Sequence, residues 1–154
     1  MVIPDRTTLG GVAGLVGTIP QLILNFISVQ IGFGEFYAFQ VSASIFVVER
    51  MTLTPMGLII GGFTWILTAA FFGAILARLI DLEGEDFWWI KGLLFGSVLF
   101  IVLFGILFNL GAGRIVPLDP QSKVSALAEN ALYGIVTAYF IVRWGRTFLH
   151  EPSK

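Results

Sequence analysis

The sequence predicts an all-α fold: an integral membrane four-helix bundle with a short interfacial or re-entrant helix after the first transmembrane helix. The composition supports the membrane class, because 56 % of the 154 residues are hydrophobic and only 12 % are charged. The mean hydropathy of +0.90 is also far above that of a soluble domain. Four apolar segments reach the roughly 20 residues that a helix needs to cross a bilayer, and their continuity favours helices over a β-barrel.

These segments divide the chain into one predicted membrane domain, 1–154, with no room for a soluble domain. Transmembrane helices are predicted at 9–31, 55–80, 88–110 and 120–148, and an interfacial helix is predicted at 33–50. Two helix starts are marked by a capping residue followed by proline at the first helical position. These starts are Thr54-Pro55 and Asp119-Pro120.

The first helix carries small and polar residues at intervals of three and four, which places them on one stripe of the helix. The stripe consists of Gly11, Gly14, Thr18, Gln21, Asn25 and Ser28. The side chains of Gln21, Asn25 and Ser28 would be costly against lipid. We therefore expect these three to face the interior of the bundle and to form hydrogen bonds there.

The segment 33–50 is ambiguous because its apolar run, 36–48, covers only 13 residues. Lys and Arg concentrate on the cytoplasmic side of a membrane, so their distribution tests the number of crossings. Four crossings place six basic residues on the side of the termini and three on the other, whereas five crossings split them four to five. The six are Arg6, Arg78, Lys91, Arg143, Arg146 and Lys154, and the three are Arg50, Arg114 and Lys123. We therefore expect four crossings, cytoplasmic termini and a segment 33–50 at, or dipping into, the outer interface.

The loop 81–86 contains four carboxylates in six residues. Its spacing does not match the calcium-binding loop, so a solvated turn with local ion pairs is the preferred interpretation. The residues Trp88, Trp89 and Trp144 fall near the predicted inner interface. They are typical of the aromatic belt that forms where side chains meet lipid headgroups.

The last helix carries the only acid that lies within a predicted spanning segment, apart from charges at segment ends. This acid, Glu129, belongs to a stripe formed by Ser122, Ala126, Glu129, Tyr133, Thr137 and Phe140. An ionisable group inside a membrane is a functional candidate by default. A structural, hydrogen-bonded role is the alternative, because Glu129 lies only about one turn inside the predicted boundary.

The predicted topology brings polar residues of several helices to the outer half of the bundle. The candidate cluster consists of Gln21, Asn25, Ser28, Asn109, Glu129, Asn130 and Tyr133. We expect Glu129 to accept hydrogen bonds from Asn25 or Gln21. The cluster is then a packing core, a proton-accepting site or the floor of an outward-open pocket, and a water-sized cavity at Glu129 would distinguish a site from a core.

Catalysis has little support in the sequence. There is no Cys and only one His, His150, so no thiolate site, His-based metal cluster or catalytic triad can be assembled. No glycine-rich loop has the phosphate-binding spacing. We therefore expect no catalytic, cofactor-binding or metal-ligating residues. The chain also has only nine Lys and Arg residues, without the concentrated basic face that nucleic acid requires.

Several short patterns in the third and fourth helices resemble small four-helix bacterial membrane proteins of uncharacterised function. They are Lys91-Gly92 with Gly96, Leu107-Phe108-Asn109, Pro117 in the loop, and Tyr133-Gly134 with Tyr139. The resemblance implies a bacterial cytoplasmic (inner) membrane and no assigned reaction.

Two functional hypotheses follow. The first is a multi-pass membrane protein without catalytic activity that acts by association in the bilayer, as a homo-oligomer or as a subunit of a larger complex. Its small-residue faces would be the pairs Gly57/Gly61, Ala69/Gly73 and Gly134/Ala138. The alternative is a small transporter or permeation pathway with an outward-facing polar pocket around Glu129, lined by Gln21, Asn25, Glu129 and Tyr133.

Overall fold

The computed structural model describes residues 5–145, and within that range it is helical and contains no strand. Five α-helices occur in the order α1 (Arg6–Gln30), α2 (Ala38–Ala43), α3 (Pro55–Glu83), α4 (Trp88–Phe100) and α5 (Pro120–Gly145). Helix α4 continues as a π-helical segment, Ile101–Leu107, and Glu49–Met51 form a single 3-10 turn. The predicted end of the last helix at 148, together with Arg146, His150 and Lys154, lies outside the described residues.

Four of the helices are long and apolar enough to cross a membrane, as predicted: α1, α3, α4 with its π-helical continuation, and α5. Their starts follow the capping residues. Asp5 accepts a hydrogen bond from the Thr8 N–H, so α1 begins three residues before the predicted position 9. Thr54 caps α3 at Pro55, which confirms the predicted start of that helix.

The predicted helix over 33–50 is wrong in extent. The structure has only the six-residue α2 and the separate turn Glu49–Met51. Side chains take over the backbone groups that a longer helix would need: the Ala38 N–H donates to Asn25 Oδ1, and the Ser44 hydroxyl donates to the Val41 carbonyl. A six-residue helix is too short to cross a bilayer.

Helices α1 and α5 form the centre of the bundle. Helix α3 packs against α1 and α4 packs against α5, whereas α3 and α4 scarcely touch each other. In the most apolar stretch of α5 half of the residues are buried, whereas in the most apolar stretch of α4 with its continuation only 17 % are buried. The outer faces of α3 and α4 are therefore apolar and exposed, which is the pattern expected of surfaces that meet lipid.

Small residues allow α1 to approach α3 closely, and α4 to approach α5 closely. A Cβ atom on Gly10 would lie 2.5 Å from the Gly73 carbonyl oxygen, and one on Gly92 would lie 2.5 Å from the Gly134 carbonyl oxygen. The three small-residue faces that were predicted for association pack against other parts of the same chain. Ala69/Gly73 pack on α1, Gly134/Ala138 pack on α4, and Gly57/Gly61 pack on the backbone of residues 39–52.

The bundle has two distinct ends. At the termini end, where α1 and α4 begin and α3 finishes, Arg6 pairs with Asp81 at 2.8 Å and Lys91 lies 3.8 Å from Glu83. These contacts confirm local ion pairing in the acidic loop. The loop end is formed by residues 31–54 and 108–119, which are joined by a hydrogen bond of 3.3 Å from the Arg114 N–H to the Ser44 carbonyl.

Candidate functional site

A buried hydrogen-bond network connects α1 and α5 near the loop end. Glu129 is only 5 % exposed, and its Oε1 atom accepts from Asn25 Nδ2 at 3.3 Å and from the Ser125 hydroxyl at 2.7 Å. The hydroxyls of Ser125 and Ser28 lie 2.6 Å apart. The predicted bond between Asn25 and Glu129 is therefore present.

The direction of the hydrogen bonds in this network follows from the number of available protons. A serine hydroxyl carries one proton, and Ser125 donates its proton to Glu129. Ser28 must then be the donor in the contact between the two serines. The result is a directed chain from Ser28 through Ser125 to the Glu129 carboxyl group, in which each bond polarises the next.

Asn25 also fixes the segment that follows α1. Its Oδ1 accepts from the Ala38 N–H at 2.8 Å, and its Nδ2 donates to the Phe36 carbonyl at 3.4 Å. One side chain thus joins the carboxyl group of Glu129 to the start of α2. The position of residues 36–38 is consequently coupled to the site.

A cavity of about 30 Å³ lies beside Glu129. A cavity needs only about 10–15 Å³ to hold one water molecule, so this space is large enough for water or a small cation. Its polar wall is formed by Asn25, Glu35, Ser122, Ser125, Glu129 and Asn130. Within residues 5–145 both hydrogen bonds to the Glu129 side chain reach Oε1, and Oε2 accepts none.

The described part of the chain supplies no positive charge to Glu129. Its ion pairs are Arg6–Asp81 and Lys91–Glu83, both at the opposite end of the bundle. A buried carboxylate without a cationic partner is costly. A proton or a bound cation in the neighbouring cavity would remove that cost.

An open depression of about 500 Å³ lies outside the cavity at the loop end. We call it the acidic vestibule, because Glu35 and Asp119 are the only charged residues of the described chain that line it. Gly34, Glu35 and Ser122 line both the vestibule and the Glu129 cavity. Two of these shared residues are joined directly, because the Glu35 N–H donates to the Ser122 hydroxyl at 2.8 Å.

The other predicted cluster residues are placed differently. Gln21 and Tyr133 are buried, but Gln21 accepts from Thr18 and the Tyr133 hydroxyl donates to the Ala69 carbonyl. Among residues 5–145 neither forms a hydrogen bond to Glu129. Asn130 is buried and lines the cavity, with its amide donating to the Ala126 carbonyl. The prediction for Asn109 is wrong, because this residue is exposed and donates back to the carbonyl oxygen of Gly105.

The sequence analysis missed two residues of the site, Ser125 and Trp65. Ser125 lies one helical turn before Glu129, and its spacing of four could have identified it. Trp65, which also lines the cavity, lies on α3. Its indole N–H donates to the Thr18 hydroxyl at 2.7 Å, a pairing that only the packing of α1 against α3 creates.

Asp119 links the vestibule to the start of α5, because its Oδ1 accepts from the Ser122 N–H at 2.8 Å. Hydrogen bonding by Ser122 holds the pKa of the Asp119 carboxyl below its usual value. When the pKa of a carboxyl group is lower in the folded state than in the unfolded state, the ionised group stabilises the fold at pH values above the unfolded-state pKa. This contribution is lost as the pH falls through the lower pKa of the folded state. We expect acidification from about pH 5 to about pH 3 to lower the Tm, and Asp119→Asn to weaken that dependence.

Thermal unfolding of the detergent-solubilised protein at several pH values tests this prediction. Asp86→Asn is the matched control, because Asp86 is an exposed residue in the loop at the opposite end. An acid dependence that is equally steep in Asp119→Asn and in the unaltered protein would contradict the capping role.

Comparisons with protein-family models, with curated protein sequences and with solved structures found no match for this chain. The resemblance to small four-helix bacterial membrane proteins therefore stays a prediction.

Proposed function

We propose that the chain is a multi-pass protein of a bacterial cytoplasmic membrane. The helices that cross this membrane are α1, α3, α4 with its π-helical continuation, and α5. The termini end faces the cytoplasm and the loop end faces outward. The excess of Lys and Arg at the termini end supports this orientation. Trp88, Trp89 and Trp144 near the same end supply the interfacial aromatic belt.

Within that membrane, we propose that the protein is a small transporter or permeation pathway for a small cation, including the proton, which is accepted at Glu129. The observation that carries this proposal is the water-sized cavity beside the buried, unpaired Glu129 carboxyl group. Acidic residues that line the approach to a cavity raise the local concentration of cations. Glu35 and Asp119 occupy that position in the vestibule.

The hypothesis of association, as a homo-oligomer or as a subunit of a larger complex, has weaker support from the geometry. Its three small-residue faces are covered by other parts of the same chain. The exposed faces of α3 and α4 consist of large apolar side chains. Contact with lipid is sufficient to explain why these side chains are apolar.

The proposal is tested by flux into vesicles containing the purified protein. We expect the protein to admit protons or methylammonium, reported by a trapped pH dye and by radiolabelled uptake, and Glu129→Gln to reduce the flux at least tenfold. Gln keeps the size and hydrogen-bonding ability of the side chain but removes the acid. The Tm of Glu129→Gln should remain within a few degrees of that of the unaltered protein.

Glu49→Gln is the matched control, because Glu49 is an exposed acid at the same end that lines neither the cavity nor the vestibule. It should leave the flux unchanged. A Glu129→Gln protein that unfolds at a much lower temperature would instead indicate a structural carboxyl group. Absence of both fluxes in the unaltered protein would also overturn the proposal.

A further inference from the structure

Ser28 forms the end of the hydrogen-bond chain that leads to Glu129. Its hydroxyl proton is donated to Ser125, whose oxygen lies 2.6 Å away, and Ser125 donates at 2.7 Å to Glu129 Oε1. Within residues 5–145 no group donates a hydrogen bond to the Ser28 hydroxyl oxygen. A hydroxyl oxygen has two lone pairs, so the chain ends in an oxygen that is free to accept a hydrogen bond.

This free end lies against the wall of the acidic vestibule. The Ser28 carbonyl accepts from the Phe33 N–H at 2.9 Å and from the Gly34 N–H at 3.0 Å, and both of these residues line the vestibule. A Cβ atom added to Gly34 would lie 3.2 Å from the Ser28 hydroxyl oxygen. Because Gly34 has no side chain, no such atom covers the Ser28 oxygen on that side.

We propose that Ser28 and Ser125 relay protons between the vestibule and Glu129. This inference rests on the proposed function of Glu129. A hydronium ion at the vestibule wall gives a proton to the Ser28 oxygen, the original Ser28 proton passes to Ser125, and the original Ser125 proton passes to Glu129 Oε1. One O–H bond forms and one breaks at each serine, so the vestibule loses one proton and the Glu129 carboxylate gains one.

The distances and the burial of the two serines suit such a relay. Both oxygen–oxygen distances, 2.6 and 2.7 Å, lie at the short end of the range of roughly 2.5–3.0 Å for hydrogen bonds between oxygen atoms. Ser28 is 4 % exposed and Ser125 is 6 % exposed, so few water molecules compete for these bonds. A proton that passes from oxygen to oxygen needs no opening between the vestibule and the Glu129 cavity.

The relay serves protons only. Methylammonium cannot pass along a chain of hydroxyl groups, because its carbon and nitrogen atoms have to move with the charge. It has to reach Glu129 through the cavity itself. The two fluxes therefore share Glu129 but differ in their need for Ser28.

The experiment compares proton flux and methylammonium uptake in vesicles containing the Ser28→Ala protein. This change keeps both hydrogen bonds to Glu129 and removes only the end of the chain. We expect proton flux to fall at least tenfold, methylammonium uptake to change less than twofold, and the Tm to remain within a few degrees, since alanine is a strong helix former. Ser44→Ala is the matched control, because Ser44 is a buried serine at the same end whose hydroxyl bonds to the Val41 carbonyl. It should leave both fluxes unchanged.

A second variant, Gly34→Ala, keeps every hydroxyl group. Its methyl group would lie 3.2 Å from the Ser28 oxygen, on the side from which the proton arrives, and should lower proton flux at least threefold. An unchanged proton flux in Gly34→Ala or in Ser28→Ala would overturn the relay. So would an equal loss of both fluxes in Ser28→Ala, because Ser28 would then act on the Glu129 site as a whole. If proton flux still depends on Glu129 in these cases, the proposed function stands and only the path of the proton is wrong.

Discussion

Replacing Gly134 by alanine is expected to destabilise the bundle more than any other single-methyl change on α5. A Cβ atom there would collide with the Gly92 carbonyl oxygen and would lie 2.9 Å from the Gly96 backbone nitrogen. Both neighbours are backbone atoms of α4, which cannot move away without separating the two helices. Overpacking of this kind costs about 3 kcal/mol, and we expect a lower Tm in detergent and aggregation during size-exclusion chromatography.

Gly105→Ala is the matched control for Gly134→Ala. Gly105 lies in the exposed π-helical segment, and an added Cβ would have only the Ile101 Cγ2 atom nearby, at an ordinary 3.8 Å. The same methyl group should therefore change the Tm by no more than a few degrees. Equal Tm values for the two variants would show that α4 and α5 are not held at the distance described.

The buried stripe of α1 was largely predictable from spacing. Gly14, Thr18, Gln21, Asn25 and Ser28 are all buried, because residues three and four apart occupy one face of a helix. The exact row of close contacts was not predictable. Gly10 approaches the α3 backbone more closely than Gly11 of the predicted stripe does, and Gly17 meets Thr137 on α5. Neighbouring rows on a helix have the same spacing, so the pattern does not distinguish between them.

The candidate site was also predictable only in part from the sequence. Asn25 and Glu129 are brought together by two regular helices, α1 and α5, that pack against each other. Asn109 was misplaced because the π-helical segment Ile101–Leu107 precedes it, and i to i+5 hydrogen bonding changes the direction of the side chains that follow. The contacts of residues 34–38 depend on Asn25 and Ser122, which are distant in sequence, so local patterns carried no information about them.

Asn25→Leu is expected to release residues 36–38 and to lower the stability of the whole bundle. Leucine has a similar size but leaves the Ala38 N–H without its acceptor and removes one of the two donors to the Glu129 carboxyl group. A buried donor that loses its acceptor costs about 1–3 kcal/mol. Hydrogen exchange should accelerate at the Ala38 amide, together with a lower Tm. Asn109→Leu makes the same change at an exposed position and should leave the exchange at Ala38 unchanged.

Asn25→Asp separates the two roles of this side chain. A carboxylate retains an acceptor for the Ala38 N–H but removes the amide that donates to Glu129 and places a second acid beside it. We therefore expect Ala38 to remain protected from exchange. Methylammonium flux should nevertheless change at least threefold, because two adjacent acids bind protons and cations differently from one. If exchange and flux changed together in both Asn25 variants, Asn25 would act only by holding residues 36–38 in place.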